Sequence, residues 1–221
     1  MRTEHVAHTS PIAAWKSLCA GNRRFVTGTP RRRTRAALAG LVDGQRPSAV
    51  VFGCGDSRVA TEIIFDQGLG DMFVVRTAGH VIDSAVLGSI EYGVAVLRAP
   101  LIVVLGHERC GAVAAALDAL DNGVAPGGFV QCVVDRVTPS IVRGRRAGLT
   151  EVEEFEARHV EETARLLMRR SSTIADRVAV GDLAIACATY RLGDGQAQLR
   201  SAIGALDQPG VEPPPTSREC T

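Results

Sequence analysis

Two short segments hold residue types that bind metals and move protons. One is Gly53-Cys54-Gly55-Asp56-Ser57-Arg58; the other is Gly106-His107-Glu108-Arg109-Cys110-Gly111. Two thiolates and an imidazole form a donor set that Zn²⁺ prefers, at about 2.3 Å for sulfur and about 2.0–2.1 Å for nitrogen. Cys54, His107 and Cys110 are therefore expected to hold one Zn²⁺ per chain. Three protein donors leave the fourth tetrahedral position to water, the mark of a catalytic zinc. Bound zinc can lower the pKa of that water to about 7 and yield hydroxide near neutral pH. Two thiolates already neutralise the metal's charge, so a neighbouring hydrogen-bond acceptor gains importance. Asp56 lies two residues beyond Cys54, and Arg58 can hold its carboxylate through a bidentate pair. Held there, Asp56 would orient the zinc-bound hydroxide. Released, it could swing in as a fourth ligand and close the site.

Both segments follow short apolar runs that end in glycine. Ser48–Gly53 and Leu101–Gly106 read as buried strands, as do Asp71–Gly79 and Leu183–Leu192, with Gln196–Ser201 as a short fifth. Ser84–Ala99 has apolar residues at Leu87, Ile90, Val94 and Leu97 and reads as one helix. Cys110 opens a helix that ends at Gly123, and that helix's N-terminal dipole favours the thiolate. Two further helices are expected over about 127–143 and 151–171, the second with Val152, Phe155, Val160, Thr163 and Leu167 inward. Strands alternating with helices predict an α/β fold: a mostly parallel sheet of about four strands plus the short fifth at an edge, flanked by helices. If the first and third strands are neighbours, the two loops meet at one sheet edge.

Ahead of the sheet, Ser10 and Pro11 suit the N-cap and first position of a helix, with Ala14, Leu18 and Phe25 near one face and Trp15 beside it. An arm of this kind often packs on a partner subunit. The chain thus divides into a flexible N-terminus (1–9), a helical arm (10–47), a zinc-binding catalytic domain (48–204) and a Pro-rich, disordered tail (205–221).

The bulk properties exclude several classes. A formal net charge of +1 across 221 residues gives no electrostatic pull toward nucleic acid. The basic run at 31–35 lacks aromatic neighbours and reads as a solvated linker. No stretch approaches the roughly 18 apolar residues of a membrane span. The N-terminus has no signal-peptide run, so the chain is read as cytoplasmic. Six cysteines without a framework spacing read as thiols or ligands rather than disulfides.

At AVVFGCGDSRV, DMFVVRTAGHV, GSIEYGV and IVVLGHERCGA, taken in order, the chain resembles the β-class carbonic anhydrases. The resemblance runs from about Ser10 to Ile203. It implies reversible hydration of CO₂ to bicarbonate and a proton, a lyase reaction, with zinc ligands on Cys54, His107 and Cys110 and the Asp-Arg dyad on Asp56 and Arg58. In the plant-like branch a glutamine, a phenylalanine and a tyrosine line the CO₂ pocket, and these match Gln45, Phe73 and Tyr92. Gln45 could donate an amide N–H to a substrate oxygen. The resemblance also implies a homodimer or homotetramer, with the active site at the subunit interface and the N-terminal helix embracing the partner.

Two positions depart from the family's pattern. Gly55 stands where Ser or Ala is usual, and Glu108 follows the zinc histidine where a small or polar residue is common. Glu108 and Arg109 are expected to pair locally. His80 reads as a locally hydrogen-bonded loop residue and His159 as a surface or interface residue. His5 and His8 lie in the N-terminus and Cys220 in the tail. Cys19, Cys132 and Cys187 read as buried, inert thiols. The same fold and ligands suit CS₂ or COS hydrolysis, which turnover with each substrate would separate from CO₂ hydration. A non-catalytic zinc module is disfavoured by the intact dyad and pocket set. A phosphatase-like nucleophile at Cys54 is disfavoured because Arg58 follows too closely.

Overall fold

The computed structural model describes residues 9–31, 41–124 and 126–206. Five strands form one sheet: β1 (Ala49–Cys54), β2 (Met72–Thr77), β3 (Leu101–His107), β4 (Ala184–Tyr190) and β5 (Ala197–Gly204). Their order is β2-β1-β3-β4-β5, with the first four parallel and β5 antiparallel to β4. The helices are α1 (Pro11–Val26), α2 (Thr61–Ile64), α3 (Ser84–Glu91), α4 (Gly111–Asn122), α5 (Val130–Arg146), α6 (Val152–Arg170) and α7 (Ser172–Ala179). A 3₁₀ turn over Ala78–His80 follows β2, and a π turn over Tyr92–Val96 extends α3.

Every residue of β1, β3 and β4 is buried, because helices cover both faces of the sheet. Alternate side chains take opposite faces. Val51, Val103 and Leu105 pack with Ala14, Trp15 and Leu18 of α1. Phe52, Ile102 and Val104 pack with Ile90 of α3, Val160 and Leu167 of α6, and Ile174 of α7. A third cluster joins α4 and α5 to Phe155 of α6 and to Cys54 and Cys110 themselves.

The Ser10 hydroxyl caps α1 by accepting the Ala13 N–H at 3.2 Å. Burying Trp15 and Leu18 stabilises the docked helix by about 1.5–3 kcal/mol each. Asn22 ties it down further: its amide donates to the Ile64 and Gly195 carbonyls and accepts the Ala197 N–H. The inner face of α1 is thus occupied by its own sheet.

Other boundaries also moved. The segment read as one helix from Ser84 changes to a π turn at Tyr92, where Gly93 lies so close to Val50 that a Cβ would come within 2.4 Å. β5 extends to Gly204, beyond the short segment expected. The unforeseen α7 starts on Ser171, whose hydroxyl accepts the Ile174 N–H. Val152 is 42% exposed, so the inner stripe of α6 starts at Phe155. Among the described residues, no helix is long and apolar enough to cross a membrane. The expectations for the N-terminus through His8, for the basic run beyond Arg31, and for the tail with Cys220 fall outside the described residues.

Candidate metal centre

The strand order reverses between β1 and β3, which leaves a crevice at the carboxyl ends of the two strands. Cys54 is the last residue of β1, His107 the last of β3, and Cys110 the N-cap of α4. Their ligand atoms all lie within 4.8 Å of one another, and all three residues are buried. Gly106 makes room beside them: a Cβ there would sit 2.4 Å from Val160 of α6.

The donor atoms fit a metal. Nδ1 of His107 lies 2.9 Å from the Glu108 carbonyl, which can only accept, so Nδ1 carries the proton. Nε2 is left with a bare lone pair, buried and without a hydrogen-bond partner. An orphaned ring nitrogen beside two sulfurs is what a cation would satisfy. Cys110 shares its proton with Cys54 and so lowers the Cys54 thiol, against burial. Cys110 is pushed up correspondingly, by that shared proton first and by burial second, while the Ala112 and Val113 N–H groups favour its thiolate.

Asp56 stands beside the cluster on the exposed side. Arg58 grips it with Nε on Oδ1 at 2.9 Å and Nη2 on Oδ2 at 2.8 Å, and the Arg58 N–H adds a third bond at 2.9 Å. These bonds hold the Asp56 carboxyl well below the usual carboxylate range. Arg58 also donates to the Arg109 carbonyl at 3.3 Å and so bridges the two loops. Arg76, which sequence reasoning passed over, donates to the Cys54 carbonyl at 2.8 Å and the Asp56 carbonyl at 2.5 Å.

Phe73 and Tyr92 meet each other, with ring centroids 6.0 Å apart, but they do not meet the cluster. Phe73 is paired with Val50 and Thr77 with Cys54, so Phe73 stands four residues, roughly 13 Å, down the strand from the metal ligand. Tyr92 is 46% exposed. Gln45 lies exposed in the segment before β1.

Several secondary expectations fail. His159 is not a surface residue; it is 4% exposed and bonded to Ser140 and Gly79. His80 is also buried, and its Nε2 reaches the distant Leu105 carbonyl at 2.6 Å rather than a local group. Glu108 does not pair with Arg109; it accepts the Leu192 N–H and faces Arg191 at 3.6 Å. Cys187 is buried, but Cys132 is exposed and Cys19 only partly covered. The burial of His159 was detectable in principle, because it follows Phe155 by four residues and precedes Thr163 by four on the inner face of α6.

The carbonic anhydrase family model matches residues 49–197. Carbonic anhydrase 2 of Mycobacterium tuberculosis is 63% identical over 203 residues, spanning 91% of this chain and 98% of that protein. A carbonic anhydrase of Mycolicibacterium smegmatis is 61% identical over the same shares. Among solved structures, a Coccomyxa β-carbonic anhydrase in complex with acetazolamide superposes with a TM-score of 0.68 at 23% identity, covering 91% of each chain. A Sordaria macrospora β-carbonic anhydrase, described as tetrameric, gives 0.66 at 25% identity, covering 73% of this chain and 84% of that one.

Proposed function

The chain belongs to the β-carbonic anhydrase family, and from that premise we propose that it hydrates CO₂ reversibly with one Zn²⁺ held by Cys54, His107 and Cys110. The observation that carries this reading is the buried cluster of two sulfurs and one unpartnered imidazole nitrogen at the β1/β3 crevice. Zn²⁺ bound there supplies the Lewis acidity that turns water into a nucleophile near neutral pH.

The remaining work falls to side chains. Asp56 accepts a hydrogen bond from the reacting water and turns its lone pair toward the carbon of CO₂. Arg58 keeps Asp56 ionised and aimed, so the carboxylate acts as an acceptor and not as an acid. Arg76 anchors the loop that carries it. Freed from Arg58, Asp56 would be able to serve as a further metal ligand and shut the site. The exposed β1 loop, with Gly55 open to solvent, supports such movement.

Gln45, Phe73 and Tyr92 form the substrate wall of a neighbouring copy's site. The distance of Phe73 from the chain's own cluster and the exposure of Gln45 and Tyr92 support a homodimer or homotetramer with shared active sites. Nucleic acid and membrane have no part in this reading. A cytoplasmic setting suits it, since thiol ligands must stay reduced.

Stopped-flow CO₂ hydration from pH 6.5 to 9 tests the proposal, on wild type and Asp56→Asn, with CS₂ and COS as competing substrates. Zinc-dependent turnover of CO₂ is expected, with a large loss in the variant. Turnover of CS₂ or COS with none of CO₂ would transfer the site to the other heterocumulenes.

A further inference from the structure

Among the buried polar side chains of helix α6 are Glu156 and His159, each only 4% exposed. Three residues apart, they lie on one face of the helix. Neither enters the chemistry proposed above, yet Glu156 reaches the Cys110 loop and His159 reaches the turn after β2. Glu156 Oε1 accepts the Cys110 N–H at 2.8 Å. His159 Nε2 lies 2.6 Å from the Gly79 carbonyl, and its Nδ1 lies 2.9 Å from the Ser140 hydroxyl oxygen. A carbonyl only accepts, so Nε2–H donates to Gly79 and Nδ1 accepts from Ser140. Burial lowers the His159 pKa and keeps that ring neutral.

Gly79 connects His159 to the metal site. It lies two residues beyond Thr77, the register partner of Cys54, and its carbonyl is held by His159. It adopts φ 60°, ψ 27°. A Cβ at Gly79 would fall 2.6 Å from the Ala112 side chain, so glycine alone allows this approach. His80, the next residue, is also left-handed at φ 52°. Left-handed backbone in a non-glycine residue is strained and persists only where its surroundings hold it. Here the His80 ring on Leu105 and the His159 ring on Gly79 supply that hold. Val160 of the same helix packs against Gly106, one residue before the third ligand.

We propose that Glu156 and His159 are positioning residues for the metal centre: α6 fixes the backbone of Cys110 through Glu156, and the turn after β2, beside Cys54, through His159. The proposal rests on the reading that Cys54, His107 and Cys110 hold zinc. Outer partners of this kind typically change metal affinity by about 10–100-fold. Glu156 sets where the Cys110 loop stands, and His159 with Ser140 sets the turn that faces Cys54. One helix that donates no ligand thus bonds the Cys110 backbone and packs against the residues beside the other two corners.

The test measures zinc affinity by chelator competition, and the sulfur-to-metal charge-transfer band of the Co²⁺-loaded protein, on the full chain. Glu156→Leu and His159→Leu are expected to weaken zinc binding by about 10–100-fold and to alter the band. Glu156→Gln and His159→Gln, which keep an acceptor and a donor, should recover most of that loss, an outcome general destabilisation would not give. Folded Leu variants with wild-type affinity and an unchanged band would overturn the proposal. Should they fail to fold, Ser140→Ala carries the test: it removes only the hydroxyl that orients His159, and wild-type affinity there would also overturn it. A wild type that binds no zinc would sink the metal reading itself. A zinc-binding wild type with unaffected variants would sink the positioning role alone.

Discussion

The loop after β1 and the loop after β3 each bring a cysteine to the metal centre, yet they are held in different ways. In the β3 loop, His107 is fully buried and Cys110 is 2% exposed. Its backbone is pinned from inside the fold by Glu156, and Glu108 ties it to Leu192. In the β1 loop, Gly55, Ser57 and Arg58 are exposed, and the restraints come from arginines: Arg76 on two carbonyls and Arg58 on Asp56. Buried hydrogen bonds resist opening, whereas exposed ion pairs contribute little and exchange readily with water. On the proposed reading, one side of the site holds the ligand set and the other carries the Asp56 carboxylate.

The contrast breaks most completely at a ligand. Cys110→Ser removes the anchored sulfur, and zinc content should fall from about one per chain to near zero, with CO₂ hydration reduced at least about 100-fold. Metal analysis of the purified variant checks this, and retention of zinc with full activity would contradict the ligand assignment. Asp56→Asn acts on the other loop. It should leave zinc content unchanged and lower kcat/KM by roughly 100-fold, the scale of a lost proton acceptor. If zinc content fell as well, Asp56 would be acting as a ligand in the resting enzyme.

A third prediction concerns the floor of the β1 loop. His80 is held neutral in the fold, its pKa lowered to about 4 from 6.5, chiefly by burial. His159 and His107 act in the same direction, while Cys54 and the Leu105 carbonyl oppose it. Above about pH 6.5 both folded and unfolded chains carry a neutral ring, and stability is complete. As pH falls from 6.5 toward 4 only the unfolded chain gains the proton, so stability drops, by about 2 kcal/mol at pH 5. His80→Asn accepts the left-handed backbone without titrating. Denaturant unfolding at pH 7 and pH 5 should show a weaker acid loss in the variant by about that amount, and parallel losses would refute the assignment.

The smallest effect belongs to Gly55. Its φ is not positive, and a Cβ would meet the Ala78 nitrogen at an ordinary 3.6 Å. Gly55→Ala should therefore raise stability by about 0.4–1 kcal/mol, through the unfolded chain, with CO₂ hydration unchanged. A clear loss of activity in stopped flow would show that the loop needs glycine's freedom.

The features readable in the sequence and those that were not divide along the same physical line. Fully buried parallel strands are continuous apolar runs, so β1, β3 and β4 were evident. The two loops declared themselves because thiol, imidazole and carboxylate followed those runs directly. Residues that act through main-chain contacts gave no such signal. Glu156 and His159 sit in VEEFEARHVEETAR, where a charged helical surface masks two inward polar groups. Arg76 resembles any strand-end arginine until its carbonyl partners are seen. The π turn at Tyr92 depends on how closely Gly93 meets Val50, a contact between distant segments that periodicity cannot carry.

The central claim is that this chain turns over CO₂ through zinc on Cys54, His107 and Cys110. Zinc content and stopped-flow CO₂ hydration, measured on one preparation before metal stripping, after it, and after zinc is returned, test that claim most directly. About one zinc per chain is predicted, with activity lost on stripping and regained on return. A metal-free chain that hydrates CO₂ at the full rate would contradict it.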